Sequence, residues 1–117
     1  MGGSPGSPTQ PNSPFRDKRE VPRYSFIADV DLAESTTDTH IACRVSEISR
    51  KGCFVDVLVT LPRGTDLHAR ISCDQGSFET KCRVIYVQDG MGMGIIFVDP
   101  AEDQLKILDS WLAQLSS

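Results

Sequence analysis

Two arginines, Arg19 and Arg23, stand four positions apart just before the first stretch with a strand-like pattern. Pro22 restricts Val21 to extended conformations, so this segment is predicted to be extended rather than helical. Arginine is the side chain best suited to bidentate binding of phosphate oxygens or of the O6 and N7 edge of guanine. The pair therefore indicates either an anion or nucleotide site, or a solvated charge cluster beside a domain boundary.

A second polar cluster lies in the segment EISRKG. Glu47 and Ser49 are two positions apart, so they face the same side of an extended backbone. Gly52 permits a close backbone approach or a positive φ, and Arg50 adds positive charge to the turn. By itself this pattern fits either a polar turn or part of a binding site.

The formal net charge of the 117 residues is −4, which disfavours a general nucleic-acid binder. Residues 16–23 nevertheless hold four basic and two acidic side chains, so the rest of the chain is more acidic than the total. A compact basic cluster on an acidic body suits a small anion better than a polyanion. We therefore expect neither DNA nor RNA as a partner.

The N-terminus differs from the rest of the chain. Residues 1–14 hold four of the seven prolines and three of the nine glycines, and such a stretch cannot bury enough surface to offset its ordering entropy. The composition predicts a flexible tail over residues 1–15 and one domain over residues 16–117. Neither a signal peptide nor an apolar membrane span is recognisable, which predicts a cytosolic protein without membrane insertion.

Alternation of apolar and polar residues predicts six β-strands after the basic cluster. The strand patterns lie at residues 24–32, 39–48, 53–59, 66–73, 78–88 and 91–99. Short turns separate them, and Asp89-Gly90 is the strongest hairpin signal. The predicted fold is mainly all-β, with the strands in an antiparallel meander. Because closing a sheet into a barrel removes its exposed edges, we expect the meander to form a barrel.

The period changes after the sixth strand. Asp99, Pro100 and Glu102 have the types expected at a helix N-cap, first position and capping box. Apolar residues then follow at helical spacing: Leu105, Ile107, Leu108, Trp111, Leu112 and Leu115. The pattern predicts a helix over residues 100–115 that packs on the barrel. A membrane-bound amphipathic helix is the alternative, and it is disfavoured because only Lys106 is basic.

The chain shows no arrangement of residues typical of catalysis or metal binding. The cysteines, Cys43, Cys53, Cys73 and Cys82, are scattered without a CxxC pair or a histidine at ligand spacing, so we expect reduced, buried strand residues. Neither a nucleophile beside a base nor a phosphate-binding glycine loop is present. The sequence predicts a protein that is not an enzyme and that has no cofactor or metal.

Together, the two polar clusters and the strand pattern resemble the PilZ domain, a bacterial receptor module for the second messenger cyclic di-GMP. That family carries RxxxR on an N-terminal arm and [D/N]xSxxG after its second strand. The matching residues here are Arg19 and Arg23, followed by Glu47, Ser49 and Gly52. The run GMGIIF is similar to the family's last strand.

The resemblance covers roughly residues 16–115 and implies a six-stranded antiparallel β-barrel, the PilZ-like split barrel, with a C-terminal α-helix. It implies a ligand-binding arm over residues 16–23, a barrel over residues 24–99 and a helix over residues 100–115. By the same resemblance, ligand binding orders the arm and signals to a protein partner.

The resemblance also implies roles for the motif residues. Arg19 and Arg23 would bind phosphate oxygens and guanine edges of cyclic di-GMP, Glu47 and Ser49 would bind a guanine, and Gly52 would allow close approach. Two further cations of the arm are implied as auxiliary ligand contacts: Arg16 and Lys18.

One position departs from the family pattern, because Glu47 stands where the family has Asp or Asn. Glutamate keeps the carboxylate but reaches one methylene further, which can misalign a bidentate pair worth ~1–3 kcal/mol. An alternative function is therefore a PilZ-like adaptor that acts through protein contacts without binding a nucleotide. A single-strand-binding barrel ranks third, since it needs exposed aromatics and the aromatic residues are expected in the core: Phe54, Phe78, Tyr86 and Phe97.

Overall fold

The computed structural model describes residues 22–116. Six strands form a closed antiparallel barrel in the order β1-β2-β3-β6-β5-β4, and one helix follows them. The elements are β1 (Arg23–Glu34), β2 (His40–Ser49), β3 (Gly52–Asp56), β4 (Asp66–Cys73), β5 (Gly76–Gln88), β6 (Gly92–Val98) and α1 (Glu102–Ser116). The predicted barrel with a C-terminal helix is confirmed. The predicted tail and most of the predicted arm lie outside the described residues.

Alternate residues of the strands fill the interior of the barrel, as the period-two pattern predicts. The largest side chains that are fully buried include Phe78, Leu32, Ile48, Leu67, Ile71, Met93 and Ile95. Phe78 also packs against Phe97, with ring centroids 5.1 Å apart in an edge-on arrangement. Two of the aromatic residues predicted in the core are therefore confirmed there.

Strand β3 ends at Asp56, three residues before the predicted end at Val59. Asp56 is paired with Gly92 of β6 and with Arg44 of β2, and one further backbone hydrogen bond joins the Val57 N–H to the Met91 carbonyl at 3.1 Å. The chain then leaves the barrel, and Leu58 and Val59 are 80% and 78% exposed. Their apolar character suggested a longer strand, whereas the backbone bends at these two residues.

Helix α1 begins at Glu102, two residues after the predicted start at Pro100. Asp99 has a φ of 46°, which is a left-handed conformation that aspartate tolerates better than most residues. The first hydrogen bond of the helical pattern joins the Leu105 N–H to the Ala101 carbonyl at 2.9 Å. The predicted cap at Asp99 is therefore wrong, since this residue turns the chain out of β6 before the helix starts.

The apolar face of α1 packs against β1 and β5 of the barrel. Leu108 and Trp111 are buried, and the Trp111 ring lies 5.5 Å from that of Phe26 and 6.4 Å from that of Phe78. The predicted packing of the helix on the barrel is thus confirmed. In the part of the chain that the structure describes, no helix has the length and apolarity that crossing a bilayer requires.

The same helix also covers an edge of β5. Residues 76–80 of β5 lie beyond its pairing with β6, which starts at Lys81. The Glu79 N–H donates a hydrogen bond to the Gln104 side-chain oxygen at 2.8 Å. A side chain of α1 therefore satisfies a backbone donor that β6 does not reach.

Candidate ligand-binding site

Arg23 and Glu47, which come from the two separate polar clusters, are in contact on the outer face of the barrel. In the pairing of β1 with β2, Arg23 lies opposite Ser49 and Ser25 lies opposite Glu47. Arg23 and Glu47 are thus diagonal neighbours, at a separation that long side chains can span. Arg23 Nη1 donates a hydrogen bond to Glu47 Oε1 at 2.8 Å, and the side chains are 26% and 29% exposed.

Ser49 shapes the turn between β2 and β3. Its hydroxyl accepts hydrogen bonds from the N–H groups of Lys51 at 3.1 Å and of Gly52 at 3.3 Å. Serine hydroxyls commonly organise turns through such local bonds to the backbone. The residue is only 3% exposed, so its first effect is to fix the backbone of the turn beside Arg23.

Gly52 lies at a close approach of β3 to β6. A Cβ atom at this position would be 2.1 Å from the carbonyl oxygen of Ile95, well inside van der Waals contact. On the same side of the turn, the Phe97 N–H donates to the Lys51 carbonyl at 2.8 Å. The close approach at Gly52 is therefore an approach of backbone to backbone that lets β6 join β3.

Arg50 connects this turn to helix α1. Its Nε donates to Asp109 Oδ1 at 2.8 Å and its Nη2 donates to Asp109 Oδ2 at 3.4 Å, and this hydrogen bonding raises the pKa of the Arg50 guanidinium. Pro22 and Tyr24 line a shallow groove together with this ion pair. Pro22, the first described residue, therefore lies next to the turn that carries the second motif.

Two aromatic side chains continue the outer face beyond Glu47. Paired residues run across neighbouring strands in the order Ser25, Glu47, Phe54, Gly94 and Tyr86. The rings of Phe54 and Tyr86 are 6.4 Å apart, and each side chain is partly exposed. We call these two rings, with Gly94 between them, the aromatic shelf. The prediction that Phe54 and Tyr86 belong to the core is wrong.

Irregular strand pairing explains part of this error. Between Val84 and Tyr86, strand β5 has one residue more than β6, and β2 likewise has one residue more than β3 between Val45 and Glu47. An extra residue reverses the side to which the following side chains point. The period-two pattern of β3 could have indicated the position of Phe54, because its neighbours Cys53 and Val55 are buried and Phe54 therefore points to the other side of the strand.

The remaining predicted contacts on the arm lie outside the described residues: Arg16, Lys18 and Arg19. Of the predicted site residues, the structure therefore brings together Arg23, Glu47, Ser49 and Gly52 around the end of β2. The described part of the chain has no cluster of histidine, cysteine and carboxylate side chains suited to a metal ion.

The cysteines are free thiols, and Cys53 and Cys82 are fully buried in the barrel. Cys43 and Cys73 are partly exposed, so the prediction of buried cysteines is wrong for these two. Burial raises the pKa of the Cys82 thiol to about 12 and that of Cys43 to about 11, and it raises the pKa of Cys53 well above the usual value. Thiols that keep their protons in this way are poor nucleophiles and poor metal ligands.

A family model described as the PilZ domain matches residues 17–114. The matched range contains both polar clusters, the whole barrel and nearly all of α1. No curated protein sequence matches the chain significantly.

Several solved structures share the fold at low sequence identity. The Bacillus subtilis inhibitor of motility MotI/DgrA has a TM-score of 0.70 and 17% identity, over 82% of this chain and 50% of its own. The PilZ domain of Escherichia coli YcgR, solved with c-di-GMP, has a TM-score of 0.68 and 14% identity, over 86% and 92%. The PilZ domain of CeSA from a cellulose-synthesizing bacterium gives 0.62 and 18%, over 81% and 98%. The chain thus matches only half of the length of MotI/DgrA.

Proposed function

Because the chain belongs to the PilZ domain family, we propose that it is a receptor for cyclic di-GMP. PilZ domains are regulatory receptor modules, and the similar domain of YcgR was solved with this nucleotide. The observation that carries the proposal is the 2.8 Å contact between Arg23 and Glu47, because it brings the two motif clusters to one partly exposed face.

The arginines would bind the phosphates and the guanine edges. Arg23 is held at the start of β1, and Arg19 precedes it by four residues. An extended backbone covers at most about 14 Å over this separation, so both guanidinium groups can reach one ligand. Arg16 and Lys18 are proposed as auxiliary contacts from the same arm.

The barrel would bind a guanine through its edge and its face. The Glu47 carboxylate can accept hydrogen bonds from the guanine N1–H and N2–H groups, while Ser49 and Gly52 set the turn that the base approaches. The aromatic shelf of Phe54 and Tyr86 offers a surface on which a base can stack, at a gain of ~1–3 kcal/mol per base.

The output of the proposed receptor is a changed surface for a protein partner. Binding would order the part of the 16–23 arm that precedes β1 over the ligand, so that the cost of ordering it is coupled to ligand concentration. The proposal includes no chemical change in the ligand, and the protein is therefore proposed not to be an enzyme. It requires a cytosolic location, where the messenger acts.

Calorimetric titration with cyclic di-GMP tests the proposal. We expect a dissociation constant in the micromolar range or below, about −8 kcal/mol. The variant Arg23→Ala should weaken binding by about 10- to 100-fold or more, since a good bidentate pair is worth ~1–3 kcal/mol. Arg63→Ala is the matched control, because it removes the same charge from an exposed position in the β3–β4 connection. Ligand should also slow tryptic cleavage after Arg19.

The titration also separates the receptor from the alternative adaptor. Absence of binding by the unmodified protein at millimolar ligand would contradict the receptor and favour an adaptor that acts through protein contacts alone. Equal weakening by Arg23→Ala and Arg63→Ala would show that binding reflects total charge rather than the site at Arg23.

A further inference from the structure

We propose that Glu47 is an internal competitor of the ligand, because its carboxylate engages the guanidinium group that the ligand has to bind. This inference rests on the proposed function and concerns how tightly the site binds. It predicts that the glutamate found here in place of the family's Asp or Asn lowers the affinity by stabilising the ligand-free site.

The register of β1 and β2 explains why glutamate makes this contact. Arg23 faces Ser49, and Glu47 lies two residues further along β2, where diagonal neighbours are ~7–8 Å apart. The hydrogen bond of 2.8 Å joins the ends of the two side chains. Aspartate is shorter by one methylene, about 1.5 Å, so Arg23 would have to leave its present side-chain conformation to keep this hydrogen bond, and the pair would be weaker.

The surroundings of the ion pair make it stronger than a typical surface pair. Its two side chains are 26% and 29% exposed, whereas those of the Arg50–Asp109 pair are 52% and 50% exposed. Less exposed pairs are screened less by water and salt. The contact between Arg23 and Glu47 is therefore able to compete with an incoming anion.

A phosphate and the Glu47 carboxylate cannot use the same side of Arg23 together, since two anions at such short range repel each other. Ligand binding would thus turn Glu47 away from Arg23 and towards the donor groups of a guanine. The apparent affinity is lowered by the fraction of molecules in which the ion pair is formed. Any change that weakens the pair but keeps the carboxylate should tighten binding.

The variant Glu47→Asp tests this directly by calorimetry with cyclic di-GMP. We expect binding about fivefold to tenfold tighter than that of the unmodified protein, from a contact worth roughly 1 kcal/mol. Glu79→Asp is the matched control, because it shortens a glutamate on β5 that pairs with Arg70 at 3.4 Å, and it should leave the affinity unchanged.

A double-mutant cycle without ligand supplies a second measurement. Urea unfolding of Arg23→Ala, Glu47→Ala and the double variant should show a favourable coupling, equivalent to about fivefold in the unfolding constant. No coupling overturns the inference, and so does unchanged or weaker ligand binding by Glu47→Asp when the unmodified protein binds. If neither protein binds cyclic di-GMP, the proposed function itself is overturned.

Discussion

Gly52 shows how a motif residue can serve the fold and the site together. Its backbone lies so close to Ile95 that a Cβ atom would be 2.1 Å from the carbonyl oxygen. The neighbouring Ser49 is buried and bonded to the turn. Barrel closure therefore explains why glycine is needed at position 52, and turn geometry explains the serine at position 49, without reference to a ligand.

We expect Gly52→Ala to destabilise the protein by about 2–4 kcal/mol, because the added methyl group forces β3 and β6 apart. Urea unfolding measures this loss. Gly64→Ala is the comparison, since Gly64 has a φ of 90° but nothing within 4 Å of a Cβ, and only backbone strain of about 1–2 kcal/mol is expected there. Similar losses in both variants would argue against the close approach.

Residue type and spacing singled out Arg23, Glu47 and Ser49, which the structure brings together at the end of β2, but they showed neither how these side chains contact one another nor that two aromatic rings lie beside them. Arg23 and Glu47 are 24 residues apart, and nothing in their own segments fixes the pairing of β1 with β2. The irregular register between Ser25 and Ala28 decides which residues become diagonal neighbours. Such irregularities depend on packing in three dimensions, so the ion pair could not be predicted from the sequence.

At the level of elements, the alternating pattern predicted that the strands exist, whereas their boundaries depended on the path of the backbone. Strand β3 stops at Asp56 and the chain bends at Leu58 and Val59, which the apolar character of these residues does not indicate. Helix α1 was predicted from its leucines, yet its start depends on the turn at Asp99. Such bends and turns are properties of the assembled barrel.

Gln104 gives α1 a second role beyond covering the core. We expect Gln104→Ala to cost about 1 kcal/mol, since it removes the acceptor for the Glu79 N–H. Hydrogen exchange at the Glu79 amide should accelerate more than at neighbouring strand amides. Gln75→Ala, in the exposed turn between β4 and β5, is the control. Unchanged exchange at Glu79 would mean that Gln104 does not protect this edge.

For the molecule as a whole, the buried thiols make the folded state less stable as the pH rises into the alkaline range. The pKa of Cys82 is raised by burial from 9.0 to about 12, and that of Cys53 is raised well above 9.0. In the unfolded chain both thiols ionise near their usual pKa, while the folded barrel keeps them protonated. Their contribution is therefore complete below the unfolded pKa and is lost as the pH rises through the folded values.

Between pH 7 and pH 10, we expect Cys82 to lower the free energy of unfolding by about 1.4 kcal/mol, and Cys53 to lower it further. Urea unfolding at both pH values, under reducing conditions, measures the sum of these losses and of a smaller one from Cys43, whose pKa is raised by burial to about 11. A variant with Cys53→Ala and Cys82→Ala should be less stable at pH 7 but should lose less on going to pH 10. Cys73→Ala is the control, and its free energy of unfolding should fall between pH 7 and pH 10 as much as that of the unmodified protein. The same loss in the double variant would rule out these thiols as the cause.

The ion pair between Arg50 and Asp109 has a consequence for signalling in the proposed receptor. It joins the turn that carries the second motif to α1, through two contacts at 2.8 Å and 3.4 Å. A protein that bound α1 and drew Asp109 away from Arg50 would remove this contact from the turn. If the contact couples the two sites, the partner changes the affinity for the nucleotide by the same factor as the nucleotide changes the affinity for the partner. The amount of bound nucleotide would then depend on the concentration of the partner protein, and the amount of bound partner on that of the nucleotide.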